Sequence, residues 1–189
     1  MLILIVGPSG AGKDTLLNGV REALGADAGF RFVRRVITRP FEVGTGGCGR
    51  EEHEAVTEQR FRVRAEAGDF ALSWRAHGLR YGVPADIALD LARGRVVVVN
   101  VSRAVVAEAA ARFPVAVVEV TAPAGVLAAR LAARGREDVL DVARRLSRAI
   151  EVPVAVERLV VVNDGSVAEG TARLLAAIRA ASGRGLAQA

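Results

Sequence analysis

The run Gly7-Pro8-Ser9-Gly10-Ala11-Gly12-Lys13 constrains this chain more than any other stretch of it. It follows the apolar pentapeptide Leu2–Val6, which reads as a buried strand. It precedes Thr15–Leu24, where Leu16, Leu17, Val20 and Leu24 recur at helical spacing and Gly25 supplies a stop. Strand, glycine-rich turn and helix in that order aim backbone N–H groups and the positive end of a helix dipole at one point. Such a point holds an anion, and the residues match the first seven positions of the Walker A phosphate loop. Lys13 is the single lysine among 26 Lys+Arg residues. A chain that otherwise uses arginine has its lysine at the position where a phosphate loop requires one. The pattern predicts a nucleoside triphosphate cradle built from Gly7, Pro8, Ser9, Gly10, Ala11, Gly12, Lys13, Asp14 and Thr15, with Lys13 reaching the β and γ phosphates.

The eighth position departs from the motif. Asp14 stands where Ser or Thr normally offers Mg²⁺ a hydroxyl, and Thr15 comes one residue late. A carboxylate is also a hard oxygen ligand. The strand expected to carry a metal-side acid, Val96–Val101, instead contains Asn100 and is followed by Ser102. Two readings of Asp14 therefore stand side by side. It is an Mg²⁺ ligand that replaces the missing carboxylate, or it is an anionic first-turn residue that favours the helix N-terminus.

Apolar runs and helical patterns alternate along the rest of the chain. Strands are expected at Phe30–Ile37, Phe70–Trp74, Val96–Val101, Val115–Val120 and Leu159–Val162. Helices are expected at Thr57–Ala67, Pro84–Ala92, from Ser102 through Arg112, at Pro123–Arg134, Asp138–Ile150 and Val167–Ala181. Phe41–Glu54 reads as an exposed loop, Gly78–Gly82 as a turn, and the tail from Ser182 as frayed. Alternating strands and helices imply parallel βαβ units and a three-layer α/β fold around a mainly parallel central sheet. Ligands in such sheets bind beyond the carboxyl ends of the strands. That edge carries Gly7–Asp14, Thr38–Arg39, Asn100–Arg103 and Thr121.

Length and composition narrow the classes. The 189 residues suit one domain with a full core. Aromatics make up 4% of the chain, too few for the stacking platforms of single-strand nucleic-acid binders. The net charge of +5 comes from arginines scattered over helical positions rather than gathered in one tract, which argues against nucleic acid despite an isoelectric point near 10.7. The single cysteine, Cys48, excludes an internal disulfide and fits a reducing, cytoplasmic setting. Neither a signal peptide nor a membrane span is expected. The sequence leaves the oligomeric state open.

Beyond the loop, the order of short motifs resembles the guanylate-kinase group of P-loop kinases along nearly the whole chain. Ile37-Thr38-Arg39-Pro40 resembles that group's substrate-phosphate segment, and Arg80-Tyr81-Gly82 its Tyr-Gly pair. Arg130-Leu131-Ala132-Ala133-Arg134-Gly135, followed by Arg144-Arg145-Leu146-Ser147, resembles its lid, and Asn163-Asp164 a turn near the adenine. The acids with which guanylate kinases read guanine are replaced here. Leu72 or Ser73 stands at one such place, and Asn100 and Ser102 at the others. Glu42 replaces a phosphate arginine, and His53 a tyrosine of the exposed loop. The branch that shares Gly-Lys-Asp at the loop, His53, Ala71-Leu72-Ser73-Trp74, His77-Gly78 and Asn100–Arg103 is that of the ribose 1,5-bisphosphate phosphokinases of phosphonate breakdown.

The resemblance implies one domain over 1–189, with a core at 1–37 and 95–181, an acceptor insert at about 38–94 and a lid at about 130–148. It implies a phosphotransferase that uses ATP and Mg²⁺ to convert ribose 1,5-bisphosphate to 5-phosphoribosyl 1-diphosphate. Lys13, Arg134 and Arg145 are the catalytic candidates. Arg130 and Asn163 join the loop in binding ATP, and Asp14 is the candidate metal ligand. Arg39, His53, Tyr81 and Arg103 are the candidates for the acceptor, with Arg75, His77 and Arg80 next. A phosphate acceptor is already anionic, so no general base is needed. The competing readings are a guanylate or other nucleoside monophosphate kinase and a non-catalytic guanylate-kinase-like binding module.

Overall fold

Five apolar runs assemble into one parallel sheet in the computed structural model, which describes residues 1–25, 27–39, 53–132 and 156–185. In chain order the elements are β1 (Leu2–Val6), α1 (Lys13–Leu24), β2 (Phe30–Phe32), β3 (Val36–Ile37), β4 (Glu54–Ala55), α2 (Glu58–Glu66), β5 (Phe70–Ala76), β6 (Leu79–Pro84), α3 (Ile87–Ala92), β7 (Val96–Asn100), a 3₁₀ turn (Arg103–Val105), α4 (Val106–Arg112), β8 (Val115–Thr121), α5 (Ala124–Ala132), β9 (Glu157–Val162) and α6 (Val167–Gly185). The central sheet has the order β2-β7-β1-β8-β9. β1 lies between β7 and β8, with Leu4 level with Val99 on one side and Val117 on the other. Every residue of β1 and β7 is buried, as strands covered on both faces must be.

Alternation along the strands divides the core in two. Ile3, Ile5, Val118 and Val120 meet Leu16 and Val20 of α1 and Leu174 and Ile178 of α6. Leu2, Leu4, Val97, Val99 and Val117 meet Ile87 of α3, Val106 of α4, and Leu72 and Val83 of a second sheet. That second sheet has the order β4-β3-β6-β5. Its outer face is covered by α2, where Phe61 stacks on Phe70 with ring centroids 4.6 Å apart. Thr57 caps α2 as expected, its hydroxyl accepting from the Arg60 amide at 3.2 Å.

Four expectations are corrected. Phe30–Ile37 is not one strand. β2 pairs with β7, while β3 pairs antiparallel with β6 in the other sheet. The last tie to β7 is the Val33 amide on the Val98 carbonyl at 3.0 Å. Arg34 and Arg35 follow, and two arginines in succession do not extend a sheet interior buried on both faces. The Gly78–Gly82 segment is not one turn either. The turn is His77-Gly78, with φ of 53° and 72°, as the two-residue loop of a β5–β6 hairpin needs. Gly82 lies inside β6, where a Cβ would come within 2.6 Å of the Phe70 ring, so the glycine makes room for the aromatic stack. Pro84 ends β6, and the helix expected from there begins at Ile87. Finally, α6 continues through Gly185 rather than fraying from Ser182. Its start is fixed by a reciprocal cap: Glu169 Oε2 accepts from the Ser166 amide at 2.8 Å, and Ser166 Oγ accepts from the Glu169 amide at 3.2 Å.

The expected 41–52 part of the exposed loop, the 138–150 helix and most of the lid lie outside the described residues. Among the described residues no helix is long and apolar enough to cross a membrane.

One buried acid ties α3 to the central sheet. Asp90 accepts from Arg31 of β2 through one oxygen and from Arg95 through the other at 2.7 Å, with Asp86 also holding Arg31 at 2.8 Å. Arg31, and then Arg95, hold the Asp90 carboxyl below its ordinary value against the opposing effect of burial. A depressed carboxyl contributes stability in full above the ordinary carboxylate range of about pH 4 and loses it as pH falls through the depressed value. Asp90→Asn is expected to cost about 3 kcal/mol near pH 7, since it leaves two arginines without their buried partner. Thermal melts between pH 3 and 7 check this: the loss should shrink toward acid, and a loss independent of pH would contradict it.

Candidate active site

The loop after β1 is pressed against the strands beside it. Gly7 has φ of 146°, and a Cβ there would lie 2.0 Å from the Val120 carbonyl oxygen of β8. Gly12 has φ of 85°, and its Cβ would lie 2.6 Å from Nδ2 of Asn163. Both places admit glycine alone. Gly12 is the N-cap of α1 and offers no side chain to the first amides of that helix, so those donors face the loop. Lys13 Nζ donates to the carbonyls of Gly7 and Pro8, each at 2.9 Å, and so is folded over the cradle. Thr15 is half-buried in the first turn of the helix.

Asn163, expected near an adenine, is buried beneath the loop. Its Nδ2 donates to the Ala11 carbonyl at 2.8 Å. Arg130 of α5 donates to the Asn163 carbonyl at 3.1 Å, which brings its guanidinium beside Gly12. Three segments distant in sequence thus close around the phosphate loop. Of the catalytic candidates, Lys13 stands at this place, while Arg134 and Arg145 lie outside the described residues.

Asp14 and Asn100 meet. Asn100 ends β7, is buried, and donates from Nδ2 to Asp14 Oδ1 at 2.7 Å. The strand end that lacks an acid therefore orients the acid of the loop helix. A cavity of about 30 Å³ beside the pair is lined by Asp14, Asn18, Arg21, Phe32 and Asn100. Among the described residues no group of three or more His, Cys, Asp or Glu side chains is placed to hold a metal. One oriented carboxylate does fit Mg²⁺, which usually takes one or two carboxylates and completes its shell with phosphates and water.

The candidates for the acceptor are spread over the second sheet and the end of β7. Tyr81 is buried and stacks on Trp74, with centroids 5.3 Å apart and planes 6° from parallel. Arg39 is exposed just beyond β3. His53 leads into β4 and its Nε2 is buried. Arg103 follows β7 and faces the buried Glu119 of β8 at 3.9 Å. Glu119 also accepts from Arg158 Nε at 3.0 Å. Burial lowers the pKa of Arg103, with Glu119 opposing the shift and Arg158 adding to it.

The second-rank candidates point elsewhere. Arg80 and Arg75 share Glu58 on the α2 side, at 2.5 and 3.8 Å. His77 is a hairpin-turn residue. Two charged groups at the site escape the sequence reading. Arg35 lies over the Tyr81 and Trp74 rings, at 5.3 and 5.8 Å from their centroids. Glu119 sits inside the apolar run of β8. The signals were an arginine doublet within a strand-like stretch and one acid among valines.

No protein-family model matches the chain. The ribose 1,5-bisphosphate phosphokinase PhnN of Acidiphilium cryptum is 51% identical over 173 residues, which covers 92% of this chain and 90% of that protein. This chain belongs to the ribose 1,5-bisphosphate phosphokinase family. The phosphokinase of the same name from Methylobacterium radiotolerans is 47% identical over 180 residues, covering 95% of this chain and 97% of that one. A bifunctional ribose 1,5-bisphosphokinase-thymidine phosphorylase of Cupriavidus necator is 51% identical over 177 residues, but the chain spans 28% of that longer protein. Among solved structures, a guanylate kinase from Anaplasma phagocytophilum superposes with a TM-score of 0.69 at 19% identity, covering 95% of this chain and 85% of that one. That likeness shows the fold of this phosphokinase family member, a P-loop kinase fold.

The Asn163 geometry yields a test. A brace on the loop supports every ligand the loop holds, whereas a base contact supports ATP alone. Asn163→Ala removes the donor from a buried carbonyl, at a cost of about 1–3 kcal/mol. Calorimetric binding of ATP and of inorganic tripolyphosphate should weaken by similar factors. Loss confined to ATP would return Asn163 to the adenine.

Proposed function

We propose that this chain transfers the γ-phosphoryl group of ATP to the 1-phosphate of ribose 1,5-bisphosphate, giving 5-phosphoribosyl 1-diphosphate. One observation carries the reading beyond family membership. The face of the second sheet that packs toward the central sheet bears Leu72, Trp74, Tyr81, Val83 and Arg35, and among the described residues no carboxylate. Leu72 is buried there, and Ser73 is exposed on the opposite side of β5. Asn100 is bonded to Asp14, and Ser102 caps the 3₁₀ turn by accepting from the Ala104 amide at 3.3 Å. Guanine presents N–H donors that need buried acceptors, and a site without them leaves those donors unpaired. A sugar bisphosphate needs donors and positive charge, which this face has.

The transfer needs little acid–base chemistry, because a phosphate oxygen is already an anionic nucleophile near neutral pH. The work left to the protein is alignment and charge compensation. The loop amides and Lys13 hold the donor phosphates. Arg130 stands beside Gly12, and with Arg134 and Arg145 it is assigned to the charge that develops during transfer. Arg39 and Tyr81 hold the acceptor phosphate, and Arg103 adds a cation at the end of β7. Asp14, oriented by Asn100, is assigned to Mg²⁺, which neutralises the donor oxygens when bound.

Ribose 1,5-bisphosphate should be phosphorylated at least ~100-fold more efficiently than GMP, a difference of about 2.7 kcal/mol in transition-state binding. Coupled ADP-release assays over both acceptors measure the two kcat/KM values. Equal or better efficiency with GMP would overturn the acceptor while leaving a kinase.

A further inference from the structure

Arg35 is a charged group at the acceptor face to which the reading above gives no role. It is buried, 7% exposed, at the crossing from the central sheet to the second sheet. The backbone fixes where it points. Its carbonyl accepts from the Glu54 amide at 2.8 Å, so the β3–β4 ladder extends back to it. Ile37, two residues on, is level with Tyr81, and Tyr81 is level with Trp74. Residues two apart share a face of a sheet. Arg35 therefore falls on the same face as Ile37, Tyr81 and Trp74, and its guanidinium lies over both rings. That face packs against the core through Leu72 and Val83, with Val33, Val99 and Val101 opposite.

A guanidinium carries donors in a planar fork and accepts nothing. At this place it rejects a base edge made of N–H donors and suits a phosphate, whose oxygens take two parallel bonds. Burial and the cation–π contacts with Tyr81 and Trp74 restrict the side chain in advance, so less freedom is lost when an anion binds. Arg35 and Arg39 are four residues apart, about 13 Å along an extended strand. The two arginines thus stand at the two ends of β3. The transferring phosphate belongs with Lys13 and the exposed Arg39 end. The deep end, beside the central sheet, is left for the other phosphate.

We propose that Arg35 is the specificity-determining residue of the acceptor site, holding the 5-phosphate of the sugar. The assignment rests on the ribose 1,5-bisphosphate reading and narrows it: one buried guanidinium distinguishes a bisphosphate from a sugar carrying a single phosphate.

The test removes each partner in turn. Dissociation constants for ribose 1,5-bisphosphate and ribose 1-phosphate are measured by calorimetry on the full chain, for the unmodified protein, Arg35→Gln and Arg35→Lys. The ratio of the two constants reports what the 5-phosphate contributes. In the unmodified protein that ratio should be about 100-fold or more, as for a bidentate, charge-assisted contact. Arg35→Gln should lower it at least ~10-fold with ribose 1-phosphate binding nearly unchanged, and Arg35→Lys should lie between. Equal weakening of both ligands would make Arg35 a structural member of the aromatic stack and overturn the proposal. So would an unchanged ratio in either variant. Should Arg35→Gln fail to fold, Arg35→Lys keeps the charge and is judged by the same ratio. If the unmodified protein binds GMP more tightly than ribose 1,5-bisphosphate, the acceptor reading itself fails and takes this assignment with it.

Discussion

The nucleotide end of the molecule depends on how closely the loop after β1 approaches its neighbours. Gly7 leaves no room for a side chain against the Val120 carbonyl, and Gly12 none against Asn163. The Asn163 amide then fastens the middle of the loop through the Ala11 carbonyl, across 152 residues of chain. These contacts set the direction of the loop amides and the start of α1, and hence where an anion is held. Arg130 is placed by the same network, since its partner is the Asn163 carbonyl. A phosphate site whose donors are fixed in advance loses little to reorganisation when charge moves through it.

The proposed acceptor end follows a different logic. The second sheet is joined to the core by packing, with Leu72 and Val83 against Val99 and Val101. It turns an aromatic and cationic face inward and covers its outer face with α2. The change of sheet at Arg34-Arg35 is what creates that arrangement, because it takes the chain off β7 and pairs β3 with β6 of the second sheet. Specificity in this account comes from the type of polar group present. Among the described residues, the inward face of the second sheet bears donors and a cation where carboxylates would be needed to read guanine.

How much was legible in the sequence depends on how local each feature is. The phosphate loop was legible because seven consecutive residues carry it. The parallel sheet was legible because buried strands are continuous apolar runs, Val96–Asn100 most clearly. The hairpin was misread because Gly78 and Gly82 look alike in sequence. Gly78 has a positive φ, whereas Gly82 yields space to Phe70. The split of Phe30–Ile37 was hidden because periodicity does not say which sheet a strand joins. Least visible were contacts between distant segments. Asn100 with Asp14, Glu119 between Arg103 and Arg158, and Arg35 over Tyr81 are each ordinary residues until the fold brings them together. The departure of Asp14 from the motif and the missing acid on β7 were both visible in sequence, and the structure joins them in one hydrogen bond.

The central claim is that a phosphate oxygen, activated by position and charge alone, attacks the γ-phosphorus of ATP. Its most direct test is the ³¹P NMR spectrum of the chain acting on ATP and ribose 1,5-bisphosphate. The account predicts two mutually coupled resonances of a diphosphate at carbon 1, growing one for one with ADP, beside an unchanged 5-phosphate signal. ADP formed without that coupled pair, or a new phosphoryl group at any other oxygen of the sugar, would contradict it.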